Sequence, residues 1–316
     1  MATGAALRCG PGPIQIQKQL NPPFPMWLIL SDASDPVGPW LARGLEGLGL
    51  SPIRHVTGTQ LALARRWEHR LEGEGATSRV TLGDGTILDS RQLRGVVNRL
   101  QAIPHEFTLG MRTCDRDYGL QEAHALLLSW LRSLRCPVVN PVSPGGLSGA
   151  WRHPVEWFSL ACESGLNTPE YRIDCEAPVH ALVDPRPGLP ERFHTMPSLE
   201  VAVVGDTVCG PPGVPDLPDA VRHAAIRLTR AASLPLLGLH LGCDDARQWW
   251  FLGAMLLPDL RRLGTPVLAA LQTLLPAVTV PTKEFVPAAS PASLRRSLRR
   301  PRRSISPSLT PELQSP

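Results

Sequence analysis

Met26-Trp27-Leu28-Ile29-Leu30 is a continuous apolar run, followed at once by the turn and helix-start cluster Ser31-Asp32-Ala33-Ser34-Asp35-Pro36. A short apolar run of this kind reads as a strand covered on both faces, the form taken by strands of a parallel sheet. Residues 37–49 then place Val37, Trp40, Leu41, Leu45 and Leu48 at helical spacing, with Gly49 as a natural stop. Residues 52–56 read as a second strand and 59–70 as a second helix. Residues 79–82 and 86–88 read as a hairpin about Gly83-Asp84-Gly85, and 96–100 as a further strand. The expected fold class is α/β, with an open-sheet domain over residues 26–112.

Downstream, a helix is expected over 117–134, with Tyr118, Ala125, Leu128 and Leu131 on one side. It feeds the apolar strand Cys136-Pro137-Val138-Val139-Asn140-Pro141. A helix over 147–165 turns Trp157, Leu160 and Ala161 inward, with Gly165 as its cap and Pro169 preventing continuation. Residues 174–198 are rich in proline and have no clear period. Residues 201–209 read as strand, Gly-Asp turn and strand. A helix over 220–233 aligns Val221, Ala224, Ala225 and Leu228, and strands at 235–241 and 249–255 precede a last helix over 260–275. These elements make a second, α+β domain over 113–280. Residues 1–25 carry no periodic pattern and read as a disordered or over-called N-terminus, with Met26 the expected true start. Residues 281–316, dominated by serine, proline and arginine, read as a disordered basic tail.

The chain has 316 residues, enough for two domains, and is 43% hydrophobic against 19% charged, which excludes wholesale disorder. Its net charge of +4 misleads. Lys283 and Arg295, Arg296, Arg299, Arg300, Arg302 and Arg303, set against Glu284 and Glu312, leave everything before Pro281 at −1. A near-neutral body argues against specific nucleic-acid binding. The arginine pairs of the tail suit non-specific contact with an acidic partner, a membrane surface or nucleic acid, or simply a solvated end. Lysine occurs only at positions 18 and 283. Seven cysteines, an odd number without a CxxC pair, fit reduced thiols in a cytoplasm better than a disulfide framework or zinc site. No stretch of about 18 apolar residues is long enough to span a membrane, and the N-terminus lacks the pattern of a secretory signal.

Asn98-Arg99, Glu122 on a helix, Pro137-Val138-Val139-Asn140-Pro141, Gly165-Leu166…Thr168-Pro169, Val203-Val204-Gly205-Asp206, Leu237-Gly238-Leu239-His240-Leu241 and Phe251…Met255…Pro258-Asp259 occur in the order and spacing of a known family. From about Met26 to Leu275 the chain resembles the ATP-grasp superfamily, in the branch of ribosomal-protein glutamate ligases and peptide-maturing ligases. The resemblance implies a pre-ATP-grasp domain followed by an ATP-grasp domain. It implies ATP and Mg²⁺ as cofactors, and a reaction in which a carboxylate is phosphorylated and an amine displaces the phosphate. Such chemistry needs hard oxygen ligands for Mg²⁺ and cations for the transferred phosphoryl group.

At the positions that the resemblance marks for those groups, the sequence departs. His240 stands for the metal-binding aspartate, Gly253 for the glutamate and Met255 for the asparagine. Glu200 replaces an arginine before the Val-Val-Gly strand, and the position of the family's lysine at the start of the long helix falls near His153, with Arg152 beside it. No lysine falls between 18 and 283, and residues 169–200 are too few for the family's glycine-looped lid, so the ATP-grasp domain is expected to be a reduced one. Gly145-Gly146 reads as an ordinary turn.

Other groupings leave alternatives open. His240, Asp244 and Asp245 are a conceivable transition-metal set, or Asp244-Asp245 is an exposed turn. Asp115-Arg116-Asp117-Tyr118 with Glu122 is a helix cap and solvated face. Alternatively, these residues with Asn98, Arg99 and Asn140 line a cleft at the carboxyl end of a strand. Trp249 and Trp250 are expected on opposite faces of their strand. No nucleophile–base pair is assignable. The expectation is an ATP-grasp-fold protein, catalytically degenerate, in which nucleotide and magnesium bind weakly or not at all. It would act as a binding or accessory protein toward a protein partner or small molecule. The alternative is an active ATP-dependent carboxylate–amine ligase with unconventional residues.

Overall fold

Two four-stranded sheets and a smaller one carry the chain, seen in a computed structural model that describes residues 25–72, 75–170, 189–213 and 216–277. These described residues lie within one compact unit. All but the last residue of the expected extension at 1–25, most of the proline-rich stretch and the basic tail lie outside the described residues.

The first sheet is parallel, in the order β2-β1-β6-β7. It comprises β1 (Met26–Ser31), β2 (Ile53–Thr57), β6 (Leu93–Arg99) and the short β7 (Val138–Val139). All six residues of β1 are buried, as its unbroken apolar run requires of a central strand. Helix α1 (Val37–Gly47) crosses between β1 and β2, burying Val37, Leu41 and Leu45. Asp35 Oδ1 accepts the Val37 N–H at 3.0 Å, satisfying one of the free donors of its first turn.

The expected helix over 59–70 is corrected. Only Gly58–Ala62 is helical (α2), and Arg66–Glu72 is strand β3. It pairs with β4 (Gly75–Thr81), which pairs with β5 (Ile87–Asp89), so the hairpin belongs to a separate three-stranded antiparallel sheet. Helix α3 (Arg116–Ser133) packs on this sheet and on β6 through Leu127, Trp130 and Leu131. Its buried side is rotated from the expected one: Tyr118 is 67% exposed and Ala125 is exposed.

Helix α4 (Pro154–Glu163) starts seven residues later than expected, because residues 147–153 form a loop and Pro154 suits a first helical position. The second sheet is antiparallel, order β11-β10-β8-β9, built from β8 (Ser198–Val204), β9 (Thr207–Cys209), β10 (Leu236–Cys243) and β11 (Trp249–Met255). Helices α4 and α5 (Asp219–Ala232) cover one face, meeting Val201, Val203, Leu237, Leu239 and Leu241. The last expected helix is divided. Leu260–Leu263 is a 3-10 turn, Gly264 adopts φ +71°, and α6 (Thr265–Ala277) follows. Helix α6 joins one core shared by α1, Ile29, Ala202, Val204 and Leu236, welding the two large sheets. An added Cβ at Gly44 would lie 2.5 Å from Leu268 Cδ1, so glycine permits the close α1–α6 approach.

Candidate functional site

The carboxyl ends of β1 and β6 lie side by side, Ser31 in register with Arg99 and Leu30 with Asn98. Parallel sheets commonly hold ligands at such an edge. Here the side chains are engaged with the protein itself. Asn98 Nδ2 donates to the carbonyls of Leu147 (2.6 Å) and Asn140 (3.2 Å), and its Oδ1 accepts the Leu100 N–H. Arg99 Nε donates to Asp35 at 2.7 Å and Nη2 to the Pro258 carbonyl at 3.3 Å. Asn140, held at φ +57°, donates to the Leu256 carbonyl and accepts the Leu236 N–H. These three residues are at most 2% exposed. They tie the first sheet to the second and do not line the cavity described below. Glu122 is exposed on α3, and among the described residues no hydrogen bond or ion pair links it to them.

Two acid–base groups sit at the same edge. Asp32 accepts the Gln101 N–H at 3.1 Å, while burial raises its carboxyl above the usual range. His55 Nε2 lies 2.9 Å from Ser31 Oγ, and burial pushes the imidazole pKa down. Ser31 is fully buried, and the α1 backbone at Gly38 closes over the pair. An added Cβ there would stand 2.5 Å from Ser31 Oγ. The contact is therefore a packed hydrogen bond with no room for a substrate.

On the second sheet, the face opposite α4 and α5 gathers the marked positions. His240 pairs in register with Gly253 and Glu200, and Gly238 with Met255. His240 Nε2 lies 3.2 Å from Met255 Sδ. Glu200 is 3.7 Å from the Arg262 guanidinium. An imidazole, a thioether, a bare glycine and one ion-paired carboxylate do not fit Mg²⁺, which selects hard oxygens in octahedral array. Asp244 is committed to its turn: it accepts from the Gln248 N–H (2.8 Å) and Trp250 Nε1 (2.9 Å), and these bonds hold its carboxyl below the usual range. Among the described residues no group of three His, Cys, Asp or Glu is placed to hold a metal ion. Trp250 lies edge-on to Phe193, and both Trp249 and Trp250 pack against the core of the second sheet.

Beside this face opens a cavity of about 740 Å³. Gln101 after β6, the loop 145–149, Trp151, Arg152, Trp157 and the end of β11 through Leu257 enclose it. Trp151 is 67% exposed. Arg152 lies over the Trp157 ring (5.7 Å), and its buried Nε has no hydrogen-bond partner among the described residues. In the sequence Arg152 stands out only as a neighbour of His153, and Gly145-Gly146 reads as a turn. The available signal was an adjacent Trp-Arg pair just before a proline-started helix. His153 itself caps α4, accepting the Val155 N–H.

No family model and no curated protein matches the sequence. Solved structures do match in shape. The macrocyclase MdnC of Microcystis aeruginosa MRC, bound with precursor peptide MdnA, superposes with a TM-score of 0.59 at 13% identity, over 79% of this chain and 99% of its own. The macrocyclase MdnB of the same organism gives 0.56 at 17% identity, over 79% and 99%. A Chryseobacterium gregarium RiPP-associated ATP-grasp ligase, in complex with ADP and a leader and core peptide, gives 0.60 at 10% identity, over 79% and 96%. At these identities the likeness is one of fold: an α/β chain with the architecture of the ATP-grasp peptide ligases.

Proposed function

We propose that this protein is an ATP-grasp-fold binding protein that does not use magnesium nucleotide, and that it serves as an accessory or recognition partner for a peptide, protein or small molecule. The carrying observation is the His240–Met255 contact at 3.2 Å, with Gly253 in register beside it, on the sheet face where the resemblance calls for oxygen donors. A thioether and an imidazole packed on each other offer Mg²⁺ no carboxylate and offer a triphosphate no lysine. The likeness to ligases solved with peptides supports a peptide or protein partner. An odd number of cysteines without a CxxC pair supports a reducing, cytoplasmic setting.

Isothermal titration of the full chain with ATP, with and without Mg²⁺, tests this. No micromolar binding and no phosphate release with mixed acids and amines is the expected outcome. Micromolar Mg-dependent affinity would overturn this reading, and release of phosphate dependent on acid and amine would establish the competing one of an active carboxylate–amine ligase.

A further inference from the structure

The cavity beside β11 has a composition of its own. Met255, Leu256, Leu257, Ala254, Trp151 and Trp157 make its walls apolar, and Arg152 is the one full charge among its lining residues. Its volume of about 740 Å³ is that of an organic-ligand site. Arg152 is also restrained. Its side chain is 26% exposed and stacks over Trp157, with Nη1 3.7 Å from Glu156, which is itself 55% exposed. The part-exposed Arg152 guanidinium is the cation of the cavity wall, and a carboxylate is the anion whose two oxygens match its fork. Trp151, two-thirds exposed at the rim, is a large amphipathic ring without a full cover.

We propose that this cavity binds a small amphipathic organic acid. Its carboxylate would lie on Arg152, and its apolar body between Trp151, Trp157 and the Met255–Leu257 wall. The inference deepens the binding-protein reading and rests on it, because Met255 serves here as wall and not as the neighbour of a metal. The recognised chemistry is one carboxylate on an apolar body, carried by a free acid or by a peptide end.

The test is titration of the full chain, followed by calorimetry, with two probes: 3-phenylpropionate as the free acid and N-acetyl-leucyl-leucine as the peptide end. Each is compared with its own carboxamide. The expected result is that at least one acid binds, and about tenfold tighter than its amide, as a charge-assisted bond implies; the tighter acid identifies the source. Arg152→Gln abolishes the acid preference and Arg152→Lys retains most of it. Trp151→Ala, an exposed change that leaves folding intact, weakens acid and amide alike. Equal binding of acid and amide, unchanged binding by Arg152→Gln or Trp151→Ala, or no binding of either acid at millimolar concentration overturns the proposal. Titration of the same sample with Mg-ATP separates the two failures. Nucleotide binding refutes the binding-protein reading while a persisting acid preference leaves the cavity assignment standing.

Discussion

Single side chains decide whether the polar edge of the first sheet is a site or a joint. Arg99 is 2% exposed and ion-paired to Asp35, and it reaches the Pro258 carbonyl across the sequence. Removing it leaves Asp35, itself mostly buried, without its cation. Arg99→Met is therefore expected to cost about 3–5 kcal/mol of stability, as breaking a buried pair does. Glu122→Gln, on an exposed helix face, is expected to stay within about 0.5 kcal/mol. Urea unfolding of both variants checks the contrast; equal losses would contradict the joint. The type and order of Asn98, Arg99 and Asn140 were legible in the sequence, and the structure does bring those three together. Their burial was not legible, because it depends on loops more than forty residues away, at Leu147 and Pro258. Glu122 could not be excluded from the group by spacing alone, since the helix phase that turns it outward is set by packing on β4 and β6.

At the scale of elements, two histidines hold strands to neighbours in surroundings that disfavour their charged form. His55 on β2 bonds Ser31, and burial lowers its pKa, with Arg54 acting the same way and Asp35 opposing. His69 on β3 bridges Ser78 of β4 and Ser129 of α3, and burial lowers its pKa too. The unfolded chain takes up these protons near the ordinary imidazole value of about 6.5, before the folded chain does. Stability is thus fully present above that value and falls as pH drops below it. Denaturant midpoints measured from about pH 7.5 to about pH 5.5 should decline. The His55→Gln/His69→Gln pair should lose less than half as much over the same range; an unchanged slope would remove the histidines from the account.

That His69 lies on a strand was itself readable. In Arg66-Trp67-Glu68-His69-Arg70-Leu71-Glu72 the charged residues 66, 68, 70 and 72 alternate with Trp67, His69 and Leu71, a period of two that a helix extended from Thr59 overrode. Gly264 likewise marked the break ahead of α6. The α1–α6 contact had no local signal. Gly44→Leu should lower stability by about 1–3 kcal/mol by overpacking Leu268, read as a fall in melting temperature.

For the whole molecule, the architecture persists where the residue types that the resemblance marks for metal and nucleotide do not, and the reason lies in what each requires. The fold needs apolar strands at β1, β8 and β10, a glycine at the α1–α6 crossing and the Arg99–Asp35 and Asn140 ties; all are present. Magnesium needs oxygen donors on one sheet face, and that face carries His240, Gly253 and Met255. None of these three supports the core, so the face can be rewritten without touching the weld between the sheets. An added Cβ at Gly253 meets nothing within 4 Å, and the changes at His240 and Met255 reduce volume. The triple variant His240→Asp/Gly253→Glu/Met255→Asn is therefore expected to fold, with a melting temperature within about 5 °C of the parent. It should gain Mg²⁺-dependent thermal stabilisation that the parent lacks, because three hard oxygen ligands then share one face. It should not gain turnover, since Lys18 and Lys283 remain the only lysines of the chain. Thermal unfolding with and without Mg²⁺ reads the first effect and phosphate release the second. An identical magnesium response in parent and variant would mean that this sheet face is not where the metal of an ATP-grasp fold would sit.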